Sequence, residues 1–143
     1  MSSLVDQISQ MHLVGVAVGA GLGAVCRAGL DRTVTHRVGL TRLPWATLAV
    51  NVVGSFVLGF MLGWSAQVAA AGTADQAESA RTLELILGIG FAGGLTTFST
   101  FSWESWSLIR ESRGRGVLVY AALTIGLGLS AVALGTAVGR MVA

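Results

Sequence analysis

Between Gly93 and Phe101 the chain reads Gly-Gly-Leu-Thr-Thr-Phe-Ser-Thr-Phe, a run that joins weak helix formers to four hydroxyls and two aromatic rings. Gly93 and Gly94 each disfavour a helix interior by roughly 1 kcal/mol relative to Ala. Thr96, Thr97, Ser99 and Thr100 offer the backbone competing side-chain hydrogen bonds. The predicted outcome is a helix interrupted within residues 88–102. Unwound carbonyls and half-helix C-termini suit a bare cation, whereas half-helix N-termini and hydroxyl donors suit an anion. This one run provides for both.

Other residues extend the same chemistry. Phe98 and Phe101 lie three apart and share a helix face. Their rings either pack against neighbours or turn their positive edges to a small anion, which would let it pass where a fixed Arg would hold it. Asn51 stands among Leu48, Ala49, Val50, Val52 and Val53, where an amide is costly to bury unless it is bonded. It serves either as an anion donor or as a hydrogen bond between helices. Tyr120 and Thr124 are one turn apart, with Gly128 in the next place. They form either a hydroxyl track or a pair of side chains bonded to local backbone. Arg27 either snorkels to the interface or gathers anions in a vestibule.

Covalent catalysis finds no footing. There is no nucleophile–base pair and no cluster of metal ligands, His12 and His36 have no ligand spacing, and Cys26 is the one cysteine. No enzymatic activity is expected. Gly88, Gly90 and Gly93 spell G-x-G-x-x-G, but that fingerprint needs a preceding strand and a later acidic residue in a soluble unit. All nine basic residues are Arg, the net charge is +2 and the pI is about 9.5. No clustered basic face for a nucleic acid emerges.

The elements that must carry these residues are membrane spans. Of 143 residues, 53% are hydrophobic and 11% charged, against roughly a quarter charged in a soluble domain. The mean hydropathy is +0.74. Charge-free intervals run Leu13–Cys26, Leu43–Ala74, Leu85–Trp103 and Gly116–Gly139. A spanning helix takes about 20 residues, so four are predicted near 12–30, 46–70, 83–109 and 117–140, joined by short polar connections in one domain. No Lys or Arg precedes the first interval and Asp6 stands in its flank, so it is expected to persist as a span and not to be cleaved as a signal peptide. Gly15, Gly19 and Gly23 recur every four residues, as do Gly59/Gly63 and Gly135/Gly139, a spacing that lets helix backbones approach closely. Interrupted backbone at membrane depth survives only where protein buries it or a polar cavity hydrates it, so the third span belongs at the centre. Arg27, Arg32, Arg37, Arg42, Arg110, Arg113 and Arg115 fall at connections 1–2 and 3–4, against Arg81 and Arg140 on the other side. That asymmetry predicts both of those connections in the cytoplasm and both termini outside.

Taken together, Gly93–Phe101, the segment Val50-Asn51-Val52-Val53-Gly54 and Gly23-Ala24-Val25-Cys26-Arg27 resemble the CrcB/Fluc fluoride channel family, across all four spans. The resemblance implies an all-α integral membrane subunit of the plasma membrane, its third helix broken near mid-membrane, that works as an antiparallel, dual-topology dimer. It implies two narrow fluoride pathways and one central, structural sodium ion. Gly93 and Thr96 would give carbonyls to that sodium. Phe98 and Phe101 would form an aromatic box, Asn51, Ser99 and Thr100 would supply donors, and Tyr120 and Thr124 would join the polar track. The implied task is passive release of fluoride from a cytoplasm that gains it as neutral HF. This chain departs from the family pattern at Ala28, where an aromatic residue is common, and at Gly128, where a hydroxyl is expected. The Arg asymmetry adds an expectation of its own: the chain inserts mainly one way and pairs with an oppositely oriented homologue. Two rivals compete. A small proton-coupled exporter also uses four helices but needs a membrane-embedded acid, and Glu84 and Glu104 lie toward the ends of the third span. A non-conducting scaffold would need only the small-residue stripes and would leave the polar break unexplained.

Overall fold

The computed structural model describes residues 2–38, 43–111 and 114–143, all of them helical or in short links. Arg42 and Arg113 of the predicted charge asymmetry lie outside the described residues. Four stretches are long and apolar enough to cross a membrane: Gln10–Arg37, Trp45–Ala71, Ala74–Arg110 and Gly114–Met141. The four predicted spans are all present, each reaching beyond its predicted bounds at both ends.

The first helix, α1 (Ser2–Val38), has 37 residues. At 1.5 Å per residue it far exceeds the roughly 30 Å hydrocarbon core. It runs on through Arg27, Asp31 and Arg32 because a helix closes its own backbone bonds whatever the side chains. Pro44 precedes α2 (Trp45–Ala71) and caps it without a side-chain bond. Its ring lacks an N–H that the first turn would leave unpaired anyway. Gly72 ends α2 with its N–H on the Val68 carbonyl at 2.8 Å.

The connection to the third span is a helix, contrary to the expected short polar link. Thr73 caps α3 (Ala74–Leu83) in a reciprocal box: its Oγ1 accepts from the Gln76 N–H at 3.4 Å, and its own N–H donates to Gln76 Oε1 at 2.8 Å. That T-x-x-Q spacing satisfies two otherwise orphaned donors. The chain then widens into a π-helical segment, Glu84–Ala92, and closes with one α-turn, α4 (Gly93–Leu95). Thr96 and Thr97 are extended, and α5 (Phe98–Arg110) follows. Helix α6 (Gly114–Met141) completes the bundle.

The break is present but falls three residues beyond the predicted weak point. Gly93 has helical φ and ψ, and Gly94 lies within α4. A Cβ on Gly94 would strike the Ala20 carbonyl of α1, so glycine is there for close approach. The extended residues are two β-branched threonines, a residue type at home in that conformation.

Two parallel helix pairs build the bundle. Added Cβ atoms at Gly15, Gly19 and Gly23 would meet Ile86 and the backbone of Phe91 and Leu95, while Gly90 and Gly94 sit against Val16 and Ala20. In the second pair Gly59 meets Val132 and Gly63 meets Thr136, with Gly135 and Gly139 against the backbone of Phe56, Phe60 and Trp64. Apart from Gly15, which meets the Ile86 side chain, the predicted glycine stripes therefore pack backbone to backbone. Contacts of α2 with α6 keep one register, residue n against n + 73. At one end a small core of Leu48, Leu108 and Tyr120 gathers Phe101, Val117 and Leu123 around it.

Candidate functional site

The extended pair Thr96–Thr97 would leave bare backbone in an apolar layer, and the side chains around it supply the missing partners. The Asn51 amide clamps Thr97 from α2: Thr97 N–H donates to Oδ1 at 2.8 Å and Nδ2 donates to the Thr97 carbonyl at 3.2 Å. An amide so placed imitates the strand or helix neighbour that Thr97 lacks. Arg27 reaches in from α1, its Nη1 donating to the Thr96 carbonyl at 2.9 Å. The Thr96 hydroxyl donates to the Gly93 carbonyl at 3.3 Å. Thr97 then caps α5, its Oγ1 accepting from the Thr100 N–H at 3.2 Å and lying 3.1 Å from Thr100 Oγ1 and 3.2 Å from Ser99 Oγ.

A cavity of about 550 Å³ opens beside the break, lined among others by Asn51, Ser55, Gly93, Thr96, Phe98, Phe101 and Thr124. Among the described residues no charged side chain lines it. The Thr124 Oγ1 is buried with no hydrogen-bond partner among the described residues, a state that costs about 1–3 kcal/mol. Phe98 and Phe101 stand with ring centroids 5.9 Å apart. The Phe98 ring is 80% exposed on the outside of the subunit, and Phe101 turns inward to Tyr120, at 5.2 Å. Gly93 is exposed, and a Cβ there would meet open space.

A smaller cavity, about 120 Å³, lies on the other side of Thr97, lined by Arg27, Ala28, Asp31, Thr47, Val50, Thr97 and Thr100. Arg27 is thus half-buried against the break. Of the ten predicted residues, Asn51, Gly93, Thr96, Phe98, Phe101 and Thr124 line the large cavity, while Arg27 and Thr100 line the small one. Ser99 is exposed. Tyr120 lines neither and is fully buried in the core.

Residues 14–136 match the family model described as CrcB-like protein, Camphor Resistance. The chain belongs to the CrcB-like family. It is 38% identical to a fluoride-specific ion channel FluC of Hahella chejuensis over 94% of this chain and 99% of that one. Proteins with the same name in Novosphingobium aromaticivorans and Ignicoccus hospitalis are 37% and 41% identical, covering 90% and 86% of this chain and 95% and 90% of theirs. With its four spanning helices, this CrcB-like chain is a multi-pass membrane protein.

One residue bonded to the wall of the small cavity, through Thr47, is absent from the set expected on sequence. Glu104 sits inside the bundle, where Tyr120 Oη donates to its Oε2 at 2.7 Å and Thr47 Oγ1 to its Oε1 at 2.9 Å. Its place toward the end of the span conceals it. The available signal is its spacing: three residues after Phe101, Glu104 shares that ring's helix face. Glu84, earlier in the same span, is buried and paired with Arg81 at 2.6 Å.

Proposed function

We propose that this chain is one subunit of a fluoride-selective channel of the plasma membrane, which lets fluoride leave the cytoplasm passively. The observation that carries the reading is the composition of the large cavity: an amide, an orphaned hydroxyl and two ring systems, with no charged side chain among the described residues. Fluoride gives up a strong hydration shell on entering the bilayer, so donors must replace water at each step. They must also release the ion, and neutral donors hold it less tightly than a guanidinium would. Thr124 offers a hydroxyl with no other partner among the described residues, and the Phe101 ring edge completes the lining. Asn51 contributes from the same wall while holding the break in place. The names of the FluC relatives point the same way.

The chain works as a pair, with a second copy or a homologue inserted the opposite way. Phe98, 80% exposed, and the exposed Gly93 lie beside a break that lipid cannot solvate. A partner across this face would cover both. Sodium fits here as half a site: the Gly93 and Thr96 carbonyls close the first half-helix, and each has a second lone pair beyond the hydrogen bond it accepts. Two such carbonyls are too few for the ion, and the same two from an antiparallel partner would make four. When bound, sodium would offset the negative end of that half-helix.

Proteoliposomes holding the purified chain with its partner test the function. Fluoride efflux is expected to exceed chloride efflux by at least about a hundredfold, and Phe101→Ile to slow it by roughly tenfold or more, the loss of about 1.4 kcal/mol of ring-edge stabilisation. Equal fluxes of the two halides would overturn the reading. The partner is tested separately, by accessibility of a cysteine placed in the Gly72–Thr73 link of a Cys26→Ser chain expressed alone. The Arg asymmetry predicts one dominant orientation, hence a homologous partner. Equal labelling from both sides would assign the second copy instead.

A further inference from the structure

The constant register between α2 and α6 makes a ladder of facing positions. Gly59 faces Val132 and Gly63 faces Thr136 across closely packed backbone. One rung nearer the break Gly128 faces Ser55, and the next two pair Asn51 with Thr124 and Thr47 with Tyr120 by the same offset. The lower rungs are polar on both helices except at Gly128.

Hydroxyls in the helices of this protein commonly bond back to the carbonyl four residues earlier: Ser102 to Phe98, Ser105 to Phe101, Ser130 to Gly126 and Thr136 to Val132. Such a bond occupies the proton. Neither Ser55 nor Thr124 makes one among the described residues, and both line the large cavity. A Cβ at Gly128 would stand 3.5 Å from Ser55 Oγ and touch nothing else. The missing side chain on α6 therefore leaves room beside a free hydroxyl on α2.

We propose that Ser55 is a further ion-binding residue of the pathway. It supplies from α2 the hydroxyl that the Tyr120–Thr124–Gly128 face of α6 lacks at its third place. The inference rests on the proposed fluoride function and adds a donor position to it. Asn51 and Ser55 are one turn apart on one face, about 6 Å along the axis. An ion leaving the Asn51–Thr124 rung thus meets the Ser55 hydroxyl at the next rung instead of bare apolar wall.

Moving the hydroxyl across the ladder tests this. In proteoliposomes Ser55→Ala is expected to slow fluoride efflux roughly tenfold, the worth of one hydrogen bond to an ion. Adding Gly128→Ser to that variant places a hydroxyl on the opposite helix, in the space vacated by the Ser55 hydroxyl. Efflux is then expected to return to within about twofold of the parent, whereas adding Gly128→Ala is expected to leave the defect in place. Wild-type efflux from Ser55→Ala overturns the proposal. So does a defect that Gly128→Ala repairs as well as Gly128→Ser does, or that neither substitution repairs. If Ser55→Ala does not elute as folded protein, the near-isosteric pair Ser55→Thr and Ser55→Val carries the test: the Thr variant should conduct roughly tenfold faster than the Val variant, and equal rates overturn the proposal. All these outcomes presuppose a parent that passes fluoride in preference to chloride. A parent that does not sinks the channel reading itself.

Discussion

Along the register that α2 and α6 share, two neighbouring stretches of the contact behave in opposite ways. At Gly59–Val132 and Gly63–Thr136 the backbones touch, and a Cβ on either glycine would collide with main-chain atoms. At Ser55–Gly128 a Cβ would find ordinary contact distance, and beyond it Asn51 and Thr124 line open space. Hydroxyls follow the same division. Thr136, at the sealed end, donates to the Val132 carbonyl at 2.9 Å, while Thr124, at the open end, donates to nothing among the described residues. The glycine rungs fix the spacing by contact, and that fixed spacing holds the polar rungs apart. A cavity of neutral donors persists because the other half of the same interface leaves no room to slide.

The largest effect should come from spoiling the sealed end. Gly63→Leu would drive a branched side chain into the Thr136 backbone, which no rotamer of a neighbour can relieve. Overpacking against main chain is expected to destabilise by roughly 3 kcal/mol or more. The expected result is loss of the folded peak in detergent gel filtration and of fluoride efflux together, although no cavity residue has changed. Retained folding with lost efflux would mean that the glycine rungs do something other than set spacing.

Much of this arrangement is legible in the sequence. The four spans follow from charge-free length, and the paired glycine stripes from their four-residue spacing, because both signals are local and periodic. The break is legible too, but not its place. Gly93 and Gly94 read as helix breakers on propensity alone, whereas Gly94 is held helical by close approach to Ala20, a tertiary demand that no local rule contains. The capping box at Thr73 is written in the sequence but hidden by the polar stretch after Ala74, which looks like a link. The π-helical winding of Glu84–Ala92 has no sequence signal. That winding is rare, and we have no physical account of why it occupies these nine residues. In the site, Asn51, Phe98, Phe101 and Thr124 stand out by residue type in an apolar setting. Glu104 does not, because its partners, Thr47 and Tyr120, lie 57 and 16 residues away. Nor does Ser55, because an isolated Ser in a span is usually bonded to its own helix, and only the register with Gly128 distinguishes it.

The smaller effects separate the two ends most sharply, because one isosteric change can be made at each. Thr124→Val removes a hydroxyl that is buried without a partner. Stability should rise by about 1 kcal/mol, as an unsatisfied donor gives way to a methyl group of the same shape. Fluoride efflux should fall by roughly tenfold, as the ion loses that donor. Thr136→Val removes a hydroxyl already bonded to the Val132 carbonyl. Stability should stay within about 0.5 kcal/mol, since a back-bonded hydroxyl contributes little to a helix, and efflux should not change. Thermal melting in detergent and liposome efflux read the two quantities independently. Opposite signs at Thr124 and silence at Thr136 are what a donor kept free for a passing ion requires. A hydroxyl retained only for packing would give the same gain in stability, since Val keeps its shape, and would leave the flux alone, so the efflux of Thr124→Val decides between the two.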